Sequence, residues 1–121
     1  MSKKFSAISN REFEEKIGLF VSSLEIPYKH INQYCLAFVH RSVLNEHIIE
    51  VSESNERLEF LGDAVLELII TELLFSLFPE KPEGALTDIR SALVRGKNLA
   101  TIGYSIGLQD HVLLSKGEVL A

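Results

Sequence analysis

Residues 55–66 read NERLEFLGDAVL and open a long run of helix-forming residues. The run continues with one glycine and no proline until Pro79, whose ring cannot continue a helix. Ser52 and Ser54 are candidate N-caps, since a serine oxygen accepts a hydrogen bond from a free amide of the first helical turn. We therefore predict one helix over residues 54–78, about seven turns long.

Four acidic residues of this helix share one face. A period of about 100° per residue places Glu56, Glu59 and Asp63 in a narrow stripe, and Glu67 extends it. Apolar residues cover almost all of the remaining circumference, which is typical of a helix buried in a core. Carboxylates on a buried helix need a cation or hydrogen-bond donors, and oxygen ligands at i and i+4 suit Mg²⁺. The alternative is a solvated stripe paired with Arg57 or with lysines, and spacing leaves both open.

The stretch NERLEFLGDAVL closely resembles the signature motif of the ribonuclease III family. Before the signature, FVHRS at residues 38–42 and NEH at 45–47 resemble that family's "THRS…NEH" segment. After it, FP at residues 78–79, EG at 83–84 and RSALV at 90–94 resemble the "FP…EG…RSALV" segment, so the family order is kept. Together they cover most of residues 10–118. The resemblance implies an all-α fold, a helical domain of the ribonuclease III endonuclease type.

The resemblance also implies a metal site on the signature helix. Glu59 and Asp63 match the acids that hold Mg²⁺ in the family, with Mn²⁺ as a substitute, and Glu56 matches an acid at the edge of the site. We expect these three residues to be the catalytic ones. Glu83 matches an acid that lies near the site in the assembled dimer. Phe60 matches an aromatic residue that inserts into the partner subunit, and its alternative is a plain core phenylalanine.

The function implied by the resemblance is Mg²⁺-dependent endonucleolytic cleavage of double-stranded RNA by a homodimer. Cleavage would leave 5′-phosphate and 3′-hydroxyl ends, in the processing of rRNA and mRNA precursors. Arg90, Arg95, Lys97 and Lys116 are candidate contacts to RNA phosphates, with salt-bridged surface side chains as the alternative. The rival function is a non-catalytic ribonuclease III-like module for RNA binding or dimerisation. The intact signature acids favour the enzyme.

The sequence departs from the family pattern in one respect. The second acidic pair of the family, Asp-x-x-Glu, has no counterpart, because Asp110 and Glu118 are not spaced i, i+3 and lack its context. A double-stranded RNA-binding domain is also missing. We therefore expect residues 1–121 to be the N-terminal portion of one endonuclease domain, truncated before its last helices. Alone, this portion is expected to show little or no cleavage.

Composition limits the kinds of partner. A net charge of −5 has the wrong sign for binding nucleic acid through bulk electrostatics, which predicts weak, metal-dependent RNA binding. Cys35 is the single cysteine, so an internal disulfide is excluded, and it is interpreted as a small core residue. No apolar stretch reaches the ~18 residues needed to span a membrane. We expect a cytoplasmic protein without a membrane partner.

Outside the signature helix, the sequence predicts three further helices and one extended segment. We predict a first helix over residues 10–19 with Phe13, Ile17 and Leu19 facing inward, a second over residues 31–44 in which His40 has a structural role, a third from Thr87 to Gly107, and an extended segment over residues 111–117. Gly62 is interpreted as permitting close packing of a neighbouring helix.

Overall fold

The computed structural model describes residues 10–45, 53–115 and 118, and within these ranges the protein is helical without a strand. The helices are α1 (Asn10–Ser23), α2 (Asn32–Ala37), α3 (Glu56–Leu77), α4 (Glu83–Leu93) and α5 (Gly96–Ile106). Two 3₁₀ turns, Arg41–Asn45 and Leu108–Asp110, follow α2 and α5. The prediction of an all-α fold is confirmed. None of the described helices has the length and apolar character needed to cross a bilayer.

The chain divides into two compact units. The first combines the residues up to Leu58 with those from Asp110 onward, and the second is Glu59–Gln109. The first unit contains most of the buried apolar side chains, namely Phe13, Ile17, Phe20, Val21, Phe38, Val39, Val43 and Leu113. Among the described residues of the second unit, Leu74 alone is a buried apolar residue.

Helix α1 is longer than predicted and buries a different face at its end. Phe13 and Ile17 face the core as predicted, but Leu19 is 76% exposed, so that part of the prediction is wrong. Phe20 and Val21 are buried instead, because they continue the i, i+4, i+7, i+8 stripe that begins at Phe13.

The predicted helix over residues 31–44 is interrupted. α2 ends at Ala37, and Val39 forms an isolated parallel bridge with Leu113. The amide of Leu113 donates to the carbonyl of Phe38 at 2.8 Å, and the amide of His40 donates to the carbonyl of Leu113 at 3.1 Å. A helix that continued through Val39 would use these backbone groups in its own hydrogen bonds. The bridge therefore takes the place of one helical turn.

His40 contributes to the structure of this turn. Its Nδ1 lies 2.7 Å from Ser42 Oγ and accepts a hydrogen bond from the Ser42 amide at 3.1 Å. Ser42 Oγ also accepts a hydrogen bond from the amide of Ser115 at 2.8 Å. These contacts agree with the structural role predicted for His40, and they join the turn to the segment after Leu113.

The predicted third helix is two helices. α4 begins at Glu83 instead of Thr87, directly after Pro82, a residue that favours a helix start. The chain leaves the helix after Leu93, whose carbonyl accepts a hydrogen bond from Asn98 Nδ2 at 2.7 Å. α5 ends where predicted, at Gly107, whose φ of 85° is left-handed.

The prediction that α3 is buried is wrong for the described residues. Its boundaries agree with the prediction, yet Leu74 is its one buried residue, and in its first half Phe60, Leu61 and Val65 are exposed. An apolar circumference indicates that a helix packs against other parts of a structure, but it does not identify those parts. Gly62 is also exposed, and a Cβ at this position would meet no atom within 4 Å, so close packing against the described residues does not explain this glycine.

Candidate metal centre

The acidic stripe of α3 (Glu56, Glu59, Asp63 and Glu67) is exposed along its whole length. Its two outer acids are each paired with an arginine. Arg41 Nη1 lies 3.5 Å from Glu56 Oε1, and Arg90 Nε lies 3.6 Å from Glu67 Oε1. The two middle acids, Glu59 and Asp63, make no ion pair or hydrogen bond with another side chain in the described part of the protein. The stripe is therefore neutralised at its ends and anionic in its middle.

The Glu56 end is fixed by the residues just before α3. Ser54 Oγ donates to Glu56 Oε2 at 3.3 Å and accepts from the Glu56 amide at 3.4 Å, so the predicted capping role of Ser54 is confirmed. Ser52, the other predicted cap, lies outside the described residues. Asn55 bonds through its amide to the Val39 carbonyl at 2.8 Å and through its side chain to the Ala37 carbonyl at 2.9 Å. The first turn of α3 is thereby tied to the segment that follows α2.

At the other end, Arg90 connects α4 to α3. Its Nη1 donates to Thr71 Oγ1 at 2.9 Å, and the Thr71 hydroxyl donates in turn to the Glu67 carbonyl at 2.7 Å. Arg90 is half-buried and engaged by two α3 side chains. This arrangement corresponds to the salt-bridge alternative considered for Arg90 from the sequence.

Glu59 and Asp63 fit a hard divalent cation. They are carboxylates one helical turn apart, exposed, and without a protein cation beside them in the described ranges. Mg²⁺ is commonly held by one or two protein carboxylates and completes its octahedral shell with water and substrate oxygens. No group of three or more acidic, histidine or cysteine side chains assembles around a common point among the described residues. The described chain therefore offers a two-carboxylate site with room for other ligands.

The structure does not bring Glu83 to this pair. Glu83 is exposed at the start of α4 and lines a cavity of about 400 Å³ together with Thr71, Leu74 and Phe75. Thr71 follows Asp63 by eight positions on α3, a rise of about 12 Å. Within one chain, Glu83 is thus two helical turns away from the expected metal ligands.

The remaining predicted residues are spread over the surface. Phe60 is 84% exposed, so its alternative as a core phenylalanine is wrong for the described residues. Arg95 and Lys97 are exposed around the start of α5. Lys116 lies outside the described residues.

Sequence reasoning missed Arg41 as a partner of the stripe. Arg57 was the expected partner, but it is exposed and makes no ion pair within the described ranges. Arg41 lies fifteen positions before Glu56, beyond the reach of helical spacing rules. The available signal was its place in the FVHRS segment, next to a turn that the signature helix contacts through Asn55.

Comparison with known proteins gives consistent matches. A family model described as the ribonuclease III domain matches residues 56–120. Ribonuclease 3 of Anoxybacillus flavithermus is 42% identical over 120 residues, which cover 99% of this chain and 48% of that protein. Ribonuclease 3 of Staphylococcus aureus strain JH9 is 43% identical over 119 residues, covering 98% of this chain and 49% of that protein. The chain spans about half the length of these curated relatives.

Solved structures show the same similarity. The nuclease domain of ribonuclease III from Campylobacter jejuni, described for structural flexibility in a region involved in dimer formation, matches with a TM-score of 0.73 and 41% identity. The match covers 84% of this chain and 67% of that one. A second structure of that nuclease domain matches with a TM-score of 0.72 and 40% identity.

Proposed function

This chain belongs to the ribonuclease III family, and on that premise we propose that it acts in Mg²⁺-dependent endonucleolytic cleavage of double-stranded RNA. The observation that carries the proposal is the middle of the acidic stripe. Glu59 and Asp63 lie between two arginine-paired acids and have no arginine partner themselves, so both carboxylates are available to a divalent cation.

The chemistry follows from these side chains. Glu59 and Asp63 would hold the cation through their carboxylates. A bound Mg²⁺ would supply charge neutralisation at a scissile phosphate and would make a bound water more acidic. Glu56 stays at the edge of the site, held by Arg41 and Ser54. The proposed products carry 5′-phosphate and 3′-hydroxyl ends, and the proposed substrates are rRNA and mRNA precursors in the cytoplasm.

We also propose that the protein works as a homodimer. The support is the exposed apolar surface of α3, where Phe60 is 84% and Leu61 58% exposed, and exposed apolar patches of this kind commonly mark protein interfaces. Glu83, remote from Asp63 within one chain, is proposed to act near the site of the assembled dimer, as the family resemblance implies.

Duplex RNA has an A-form shape that proteins recognise mainly through phosphates and 2′-hydroxyls. We propose that Arg95 and Lys97 contact RNA phosphates, because both side chains are exposed. Arg90 is the weaker candidate, since Glu67 and Thr71 already engage its guanidinium. Lys116 is proposed on the sequence alone.

The test is cleavage of a labelled RNA duplex in Mg²⁺ by the full-length protein. Glu59→Gln and Asp63→Asn should each abolish cleavage, because each removes one anionic ligand while keeping the side-chain shape. Glu72→Gln is the matched control, since Glu72 is exposed on α3 but lies off the acidic stripe. Duplex RNA that is bound and never cut would contradict the proposal and favour a non-catalytic RNA-binding or dimerisation module.

A further inference from the structure

We propose that Arg41 is a positioning residue that withholds Glu56 from the divalent cation and so confines the cation to Glu59 and Asp63. The inference rests on the proposed function in one respect only, the assignment of Glu59 and Asp63 as metal ligands. It adds a role for a residue outside the signature helix.

Both carboxylate oxygens of Glu56 are engaged. Oε1 faces Arg41 Nη1 at 3.5 Å, and Oε2 accepts the hydrogen bond from Ser54 Oγ at 3.3 Å. Glu59 and Asp63 have no such partners among the described side chains. The same helix face therefore carries one occupied carboxylate followed by two that are available to a cation.

The pairing of Arg41 with Glu56 is built into the fold of the first unit. Asn55 makes two hydrogen bonds to the carbonyls of Ala37 and Val39, which brings the start of α3 beside the turn that carries Arg41. Arg41 itself is exposed, with 72% of its side chain accessible. An exposed ion pair contributes little to stability, so Arg41 can be replaced without unfolding the protein.

Arg41 also changes the charge that the stripe presents to a cation. Without Arg41, the stripe would present Glu56, Glu59 and Asp63 as three unpaired carboxylates at i, i+3 and i+7. A further carboxylate raises the affinity of a site for divalent cations and changes its ligand number, which is a basis of selectivity among them. The Arg41 guanidinium cancels that additional charge. Glu56 is thereby kept out of the coordination shell.

The experiment is calorimetric titration of the full chain with Mn²⁺. Arg41→Gln should bind Mn²⁺ about fivefold more tightly than the wild type, the effect of one unit charge on a divalent cation about 8 Å away in water. The double variant Arg41→Gln/Glu56→Gln should return to the wild-type affinity, and Arg41→Lys, which keeps the charge, should stay near it. Arg57→Gln is the matched control, because it removes the same charge from an exposed position beside Glu56 that has no ion pair in the described part.

The outcomes separate the inference from the proposed function. A gain in Arg41→Gln that disappears in the double variant supports the inference. A gain that persists without Glu56, a gain equalled by Arg57→Gln, or no Mn²⁺ binding by Arg41→Gln overturns it. Wild-type binding that Glu59→Gln and Asp63→Asn leave unchanged would refute the metal ligands of the proposed function, and the inference would fall with them. If both variants lose binding while Arg41→Gln shows no gain, the inference alone fails.

Discussion

Arg90 Nη1 on α4 donates a hydrogen bond to Thr71 Oγ1 on α3 at 2.9 Å. The Thr71 hydroxyl donates in turn to the Glu67 carbonyl, so this polar link between the two helices reaches the α3 backbone. A guanidinium in this position acts as a structural tie. It also has fewer free donors for an RNA phosphate than Arg95, which is exposed.

Replacing Arg90 should therefore destabilise the protein. Arg90→Ala removes the bond to Thr71 and the ion pair to Glu67, and we expect a loss of about 1 kcal/mol in the free energy of unfolding. Urea denaturation measures the loss, with Arg95→Ala as the matched control. Equal free energies of unfolding for the two variants would show that the contacts of Arg90 with Thr71 and Glu67 do not stabilise the protein.

The face buried by α1 gives a second prediction. Ile17 is fully buried, so Ile17→Ala should cost about 3 kcal/mol through the lost apolar burial and the cavity left behind. Leu19 is 76% exposed, and Leu19→Ala should change stability by less than about 0.5 kcal/mol. Thermal or urea unfolding compares the two. A large effect at Leu19 would restore the inward orientation predicted from the sequence.

Cys35 gives a prediction in pH. Burial, and secondarily the negative charge of Glu14, raise the pKa of the Cys35 thiol to about 11. The reactive thiolate is therefore scarce near neutral pH, and alkylation by iodoacetamide should accelerate until the pH passes about 11. Glu14→Gln should lower the pKa and speed alkylation at pH values below it, whereas Glu25→Gln should not. A rate that levels off near pH 9 would contradict the raised pKa.

The same shift affects stability at high pH. Between pH 9.0, the ordinary pKa of a cysteine thiol, and about pH 11 the folded state retains the Cys35 proton, whereas the unfolded chain loses it. The contribution of this group to stability is thus fully present below pH 9 and is lost as the pH rises through 11. Cys35→Ser should reduce this part of the pH dependence in urea denaturation. An unchanged pH profile in that variant would assign the loss to other groups.

Gly62 gives the last prediction. It lies in the interior of α3, and a Cβ there would meet no atom within 4 Å. Gly62→Ala should therefore stabilise the monomer by up to about 1 kcal/mol, because alanine loses less backbone entropy in a helix. Sedimentation of the same variant tests the proposed dimer, which an added methyl group should weaken if α3 forms the interface. Gly84→Ala, also in open space, is the control.

The sequence predicted local features well and non-local ones poorly. The limits of α3 followed from an uninterrupted helical run, Ser54 and Pro79, all of which act within a few residues. The end of α5 followed from Gly107 for the same reason. The break after α2 did not, because it depends on a bridge between Val39 and Leu113, which periodicity cannot detect.

The candidate metal centre shows the same division. Glu59 and Asp63 were identified from a motif within one helix, and the structure leaves them exposed and available. The arginine partner of Glu56 was missed, because Arg41 reaches it through contacts between separate segments. The burial of α3 was predicted wrongly, because the sequence of a helix does not show which other elements pack against its apolar face.

The bond between Ser42 and Ser115, 73 positions apart, bears on the order of events during synthesis. The first unit needs Leu113 for its core and Ser115 for the turn at His40, so it cannot be completed while the ribosome is still translating the intervening segment. Local helices such as α4 and α5 have no such requirement. On a growing chain, Phe20 of α1 lacks the His111 ring on which it stacks until these late residues arrive, a period in which a chaperone has an apolar side chain to bind.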